Sequence, residues 1–301
     1  MSRGKPGDLP TLFVIAFEGL RIGDQTESTN NRIVWFTPAF FRRLGFFIFQ
    51  KGEQMPVEKA VFHWSGGKDS ALALHKVLSN KDIAVSTLLT SVNEQYRRIS
   101  MHGVRAELLE RQAESIGIPL VKMMMPEMPD MKMYEAIMKE TLVRLRGAGM
   151  TASIFGDIFL EDLRKYREDN LAAMNIKPMF PLWKVPTDRL VREFIELGFK
   201  AVVVCANDKY LDQEFVGRTI DGTFLADLPR NVDPCGENGE FHSFVYDGPI
   251  FTSPVAFEFG EVVHRKYRPV RDGLNSPDDC FTSPQPFDGG FWYCDLKPVK
   301  S

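Results

Sequence analysis

From residue 57 onward, short continuous apolar runs alternate with stretches whose apolar positions recur every three or four residues, the marks of buried strands and one-faced helices. The pattern predicts a strand over 57–64 and a helix over 69–79, with Ala71, Leu72, His75 and Leu78 at helical spacing. A β-branched run over 83–91 predicts a second strand, and 92–101 reads as a polar loop carrying Arg97 and Arg98. A second helix over 102–116 turns Val104, Leu108, Leu109, Ala113 and Ile116 to one side, and Gly117 and Pro119 stop it. Residues 120–125 form a third strand, with Met123, Met124 and Met125 expected in the core. Asp130 caps a third helix with the stripe Tyr134, Ile137, Met138, Thr141, Leu142 and Leu145, closed by Gly147. A short strand over 153–155 runs into Gly156 and Asp157, and a helix follows from about 160 to 174 with a solvated charge run at 161–169.

Beyond 175 the pattern changes. Residues 177–183, bracketed by Pro178 and Pro181, read as extended chain, and Thr187 is the expected cap of a helix that buries Leu190, Val191, Phe194 and Leu197 before Gly198. A buried strand over 200–205, helical pieces within 211–228, a glycine-rich acidic turn over 231–240 and strands over 241–246 and 255–264 complete a mixed region. The tail from 269 is rich in Pro, Gly and Asp, and 291–296 is expected to add an edge strand. Residues 1–54 show no capping pattern or long amphipathic period, and the expectation is that they are translated upstream sequence, with Met55 opening the folded chain. A Phe-rich basic targeting segment is the other reading of that stretch. The division expected is therefore 1–54 extension, 55–176 alternating strand–helix region, 177–264 smaller mixed region and 265–301 tail.

Alternation of strand and helix implies an α/β fold, a Rossmann-like parallel sheet with helices on both faces, joined to a smaller α+β domain. In such sheets ligands bind beyond the strand carboxyl ends, where the strand order reverses. Three loops, 65–70, 90–98 and 156–162, are then expected to converge. With 301 residues there is ample core for one large or two modest domains. A net charge of -3 and a pI near 6.0 give no electrostatic reason to expect nucleic acid. The four cysteines form no C-x-x-C pair, which argues against a structural zinc or dithiol centre and fits a reducing, cytoplasmic setting. No run reaches the roughly 18 apolar residues of a membrane span.

The chemistry concentrates in Ser65-Gly66-Gly67-Lys68-Asp69-Ser70. A glycine turn between a strand and a helix exposes free N–H groups at the positive end of the helix dipole, and Lys68 adds a full charge, so the turn is an anion site. It is not a Walker loop, because Phe62 and Asp69 stand where that motif needs glycine and Ser or Thr.

The hexapeptide resembles the PP-loop of the ATP pyrophosphatases, which split ATP between the α and β phosphates. Further stretches extend the likeness: His102-Gly103-Val104-Arg105, Gln112-Ala113 with Gly117-Ile118-Pro119, Gly156-Asp157-Ile158, Pro181-Leu182-Trp183, Leu211 with Gly217-Arg218, and Gly236-Glu237 through Glu240-Phe241 to Asp247-Gly248-Pro249. Together they resemble the diphthine–ammonia ligase family over about 57–264. That resemblance implies a HUP-type nucleotide domain followed by a substrate domain. The implied reaction joins a carboxylate to AMP with release of pyrophosphate, and ammonia then displaces AMP. The implied partners are ATP, Mg²⁺, ammonia and a carboxylate, which is diphthine on elongation factor two in an archaeon or eukaryote and is unassigned otherwise; self-association stays open. Family members acting on diphthine carry Glu-Gly-Gly-Glu-Phe-Glu-Thr where this chain has Asn238 between Glu237 and Gly239, and His242 after Phe241.

On this reading Ser65, Gly66, Gly67, Lys68, Asp69 and Ser70 hold phosphate oxygens, and Lys68 offsets charge on the leaving pyrophosphate. Asp69 and Asp157 face Mg²⁺, although either also serves as an ordinary helix-start acid. Thr90, Ser91 and Gly156 meet the adenosine, and His102 touches phosphate or ribose. Glu237 and Glu240 flank a glycine turn as base candidates for ammonia, against a plain solvated acidic loop. Arg164 or Arg167 is placed to reach a substrate carboxylate. A PP-loop tRNA-modifying enzyme and a non-catalytic ATP sensor are the competing readings. The first would favour a basic surface and paired cysteines, which this chain lacks.

Overall fold

The computed structural model describes residues 57–80, 82–99, 103–126, 129–267 and 289–299. The stretch before Val57 and His102, with the expectations attached to them, lies outside these described residues.

The first sheet is built from β1 (Glu58–His63), β2 (Ile83–Asn93), β3 (Arg98–Ile99), β4 (Leu120–Met125), β5 (Ala152–Ile154) and β6 (Lys177–Met179). All pair in parallel except β3, which folds back antiparallel on the end of β2. The central strand is β1, flanked by β2 and β5, with β4 beyond β2 and β6 beyond β5. The chain thus moves outward from β1 on one side and later resumes on the other, which places the reversal of strand order at the carboxyl ends of β1 and β5.

Both faces are covered. The helices are α1 (Lys68–Leu78), α2 (Ala106–Ile116), α3 (Met131–Gly147) and α4 (Glu161–Ala172). Alternation along β1 sends Ala60 and Phe62 into a cluster with Leu72, Leu74, Leu108 and Leu109 of α1 and α2. Val61 points the other way, into a cluster with Leu142, Leu145 and Leu171 of α3 and α4. Residues such as Phe62 and Leu108 are fully enclosed, each contributing about 1.5–3 kcal/mol by leaving water. Met123 and Met125 join the second cluster as expected, but Met124 faces out at 37% exposure, because a strand alternates its sides.

After β6 come α5 (Thr187–Glu196), β7 (Lys200–Asn207), a 3₁₀ turn (Gln213–Phe215), α6 (Gly222–Asp227), β8 (Phe241–Asp247), β9 (Phe257–Tyr267) and β10 (Gly289–Pro298). The last four strands form a second, antiparallel sheet in the order β8-β7-β10-β9. Two expectations are corrected here, and the extended reading of 177–179 is borne out by a strand. The strand near 291–296 is interior, between β7 and β9, not at an edge. The extended stretch at 177–179 closes the first sheet as its outer strand. Thr187 does not cap α5, since its hydroxyl donates instead to Asp233 Oδ2 at 2.6 Å. Gln54–Ser301 forms one compact unit holding both sheets. No helix among the described residues is long and apolar enough to cross a membrane.

Candidate active site

Where β1 ends, His63 and Trp64 lead into the glycine turn, and α1 begins at Lys68 with Gly67 as its cap position. Gly66 takes φ +78°, a conformation that glycine adopts without strain, and a Cβ there would stand 2.8 Å from Gln112 Oε1. Ser65 Oγ donates to Ser70 Oγ at 3.0 Å, and Ser70 Oγ donates to the Gly67 carbonyl at 3.0 Å, so both hydroxyls sit over the helix start. Gly156 packs directly against that start, and a Cβ on it would lie 3.1 Å from Ser70 N. The loops after β1 and β5 therefore touch through backbone, with no room for a side chain between them.

Fully buried Gln112 on α2 braces the turn. Its Nε2 donates to Gly66 O at 3.1 Å and to Val245 O at 2.5 Å, and its Oε1 accepts from Trp64 Nε1 at 2.9 Å. An apolar replacement would orphan these groups, at about 1–3 kcal/mol each. A polar residue inside the stripe of Leu108, Leu109 and Ala113 was the signal that could have marked it as more than packing.

Charged groups gather beside the turn. Lys68 Nζ bonds Asp69 Oδ2 at 2.7 Å and the Cys235 carbonyl, and lies 5.2 Å from the centre of the Phe241 ring. Burial by itself pulls the Lys68 ammonium down, but Asp69 with its neighbours outweighs this and holds it above the usual lysine value. Asp157, in the loop after β5, pairs with Arg167 of α4 at 2.6 Å. Its carboxyl is nevertheless raised, chiefly by burial and further by Asp69, against the pull of Arg167. Glu237, in the turn before β8, accepts the Ile158 N–H at 3.0 Å. Burial, then the Asp69 charge, pushes Glu237 up to about 8. Lys68, Asp69, Asp157 and Glu237 thus act on one another from three separate loops.

Glu240 does otherwise. Its carboxylate accepts the backbone N–H groups of Asp233 at 3.0 Å and Asn238 at 2.9 Å and the Asn238 side-chain amide at 3.0 Å, bracing its own turn. The Cys235 thiol, raised by burial, donates to Thr187 O at 3.3 Å. Thr90 and Ser91 follow Leu89, whose carbonyl accepts Trp64 N–H at 2.8 Å, so they continue β2 past the end of β1. Arg164 places its guanidinium over Phe180 and Trp183, 4.8 and 4.5 Å from the ring centres, and pairs with Glu168. The charge run on α4 is largely a solvated face, apart from Arg167, which reaches back to Asp157.

On the α3 and α4 side a cavity of about 380 Å³ opens beside this cluster, lined by His63, Phe155, Tyr134, Met138, Tyr166 and Arg167 among others. The His63 ring stacks on Phe155 at 4.0 Å, and its Nε2 meets Ser153 Oγ at 2.8 Å. Burial, then Arg167, holds the imidazole well below its ordinary pKa and hence neutral. Among the described residues no group of three or more His, Cys, Asp or Glu side chains is arranged to hold a metal ion.

Comparison with known proteins agrees with this architecture. The family model described as diphthamide synthase N-terminal domain matches residues 58–175, and the one described as diphthamide synthase C-terminal domain matches 186–268, together about two-thirds of the chain. The diphthine–ammonia ligase of Homo sapiens is 23% identical over 225 residues, covering 66% of this chain and 82% of the human one. That of Schizosaccharomyces pombe is 23% identical over 217 residues, covering 66% of this chain and 36% of the longer yeast protein. A solved U34-tRNA thiolase from Methanococcus maripaludis is 24% identical with a TM-score of 0.31, covering 47% of this chain and 57% of its own, too slight a likeness to carry an argument. With both halves of the family's architecture matched in order, the chain belongs to the diphthine–ammonia ligase family of ATP-dependent ligases and is an enzyme of the ligase type.

Proposed function

We propose that this chain activates a carboxylate with ATP and joins it to ammonia. The observation that carries the reading is the cluster of Lys68, Asp69, Asp157 and Glu237 around a serine-flanked glycine turn at a helix start. The turn supplies helix N–H groups, two hydroxyls and an ammonium, a donor set suited to polyphosphate. The cavity with the stacked His63–Phe155 pair suits the flat apolar base of the nucleotide, and Thr90 and Ser91, on β2 beyond the end of β1, are assigned to the adenosine.

In this scheme a carboxylate oxygen attacks the α-phosphorus, the α–β bridge breaks, and pyrophosphate leaves. Lys68 stands where charge grows on the departing group; one well-placed donor of this kind contributes about 3–4 kcal/mol. Ammonia then attacks the acyl carbon and AMP departs with the bond electrons. The nitrogen must lose a proton, and Glu237, with a pKa near 8, is suited to take it at mildly alkaline pH. Glu240 belongs to the scaffold of that turn and not to the chemistry.

Asp69 and Asp157 are hard oxygen donors brought close by two loops, which fits Mg²⁺, an ion that takes one or two carboxylates and completes its shell with phosphates and water. Bound there, it would screen phosphate charge. Each aspartate now pairs with a cation, Lys68 or Arg167, so those pairs would loosen on loading. The homologues' names point to diphthine as the carboxylate. Its carrier would then be the elongation factor that the family resemblance implies, which would put the reaction in the cytoplasm.

The test is isotope exchange between pyrophosphate and ATP over a panel of carboxylates, with and without ammonium. Exchange dependent on one acid, and amide formation only with ammonium, supports the reading; tight ATP binding without exchange for any acid contradicts it.

A further inference from the structure

Sheet one does not hold the phosphate loop by itself. Gly67 supplies no side-chain cap to α1, and the Lys68 N–H is taken instead by Ser243 Oγ of β8, at 3.1 Å and 175 residues away in sequence. Ser243 is 3% exposed and is enclosed by the second sheet on which it stands. Two residues further along the same strand, Val245 N–H donates to the Gly66 carbonyl at 2.9 Å. Ser243 thus reaches Lys68 with its side chain and Val245 reaches Gly66 with its backbone N–H, so β8 grips two members of the loop. The Cys235 carbonyl, ahead of the same strand, receives the Lys68 ammonium.

We propose that Ser243 is a positioning residue for the phosphate grip. By accepting the Lys68 N–H it fixes the first turn of α1, so that the Lys68 side chain and the Ser65 and Ser70 hydroxyls face one place. The inference rests on the reading that 65–70 takes ATP. A cap oxygen of this type shifts the equilibrium of a helix start by about three- to thirtyfold. The loop's affinity for a triphosphate is then set in part by the second sheet, which also carries the turn of Glu237.

The test uses Ser243→Ala, Ser243→Cys and Ser243→Thr in the full chain. Cysteine keeps the size with a poor acceptor, and threonine keeps the hydroxyl on a side chain suited to a strand. Amide hydrogen exchange at Lys68, read without nucleotide, reports the cap whether or not ATP is turned over. Expected is exchange about three- to thirtyfold faster in Ser243→Ala and Ser243→Cys, with the KM for ATP raised by a similar factor and kcat within about threefold. Ser243→Thr should match the parent in both. Unchanged exchange in Ser243→Ala, an equal loss in Ser243→Thr, or faster exchange with an unaltered KM each overturns the proposal. A parent chain that turns over no nucleotide, with the exchange pattern as expected, would instead remove the functional reading beneath it.

Discussion

Two glycine turns meet at Lys68, and they carry their function in opposite ways. The turn at 65–70 is written locally: apolar strand, two glycines, lysine and serine, then a helical stripe, and nearly every contact of its hydroxyls stays within six residues. The turn at 233–240 is written at long range. Its Cys235 carbonyl meets Lys68 and its Glu237 meets Ile158, while Glu240, three residues on, closes on its own turn. Identical side chains a few residues apart thus have different partners, and the partner decides the role.

The largest effect should come from the local turn. Lys68→Ala is expected to cut exchange turnover by about 10²–10³ while circular dichroism stays that of the parent, since a transition-state contact is lost. Normal turnover would remove the first half of the comparison. Next come the two glutamates. Glu237→Gln should lower amide formation by about 10² or more at pH 8 with no loss of thermal stability. Glu240→Gln should instead lower stability by about 1–3 kcal/mol, because an amide cannot accept three N–H groups, and should harm activity through the turn. Melting curves and initial rates on both variants separate the roles; the same profile for both would merge them.

A smaller effect follows from pH. Glu237 is raised from 4.5 unfolded to about 8 folded, so the folded state binds the extra proton across that window. Its contribution to stability is fully present below about pH 4.5 and is lost as pH rises through 8. With chelator present, the melting temperature of Glu237→Gln minus that of the parent should therefore grow from pH 5 to pH 8. A flat difference would mean that Glu237 is not held protonated. Smallest of all, Lys165→Ala removes an exposed i,i+4 pair with Asp169 and should leave melting temperature and rates unaltered, as befits a solvated face.

Much of the architecture was readable because its determinants are local. Period-two and period-3.6 patterns placed the strands and helices of the first sheet within a few residues, and Asp130 caps its helix through Met133 N–H at 2.7 Å as its position implied. What was not readable depends on partners far away in sequence. Thr187 looks like a cap until Asp233 claims its hydroxyl, and β10 looks like an edge until β7 and β9 close on either side. In the site, the serine–glycine–lysine turn and the loop of Asp157 were legible as strand-end loops. Gln112 and Ser243 were not singled out as site residues, because each acts through a contact made 46 to 175 residues away, and Arg167, expected at a substrate carboxylate, is paired with Asp157.

The most direct measurement is the crystal structure of the complex with Mg²⁺ and an ATP analogue that cannot be cleaved between the α and β phosphates. The account predicts the polyphosphate against residues 65–70, with Lys68 released from the Cys235 carbonyl and Asp157 beside the metal. A polyphosphate bound away from that turn, with Lys68 still on Cys235, would contradict it.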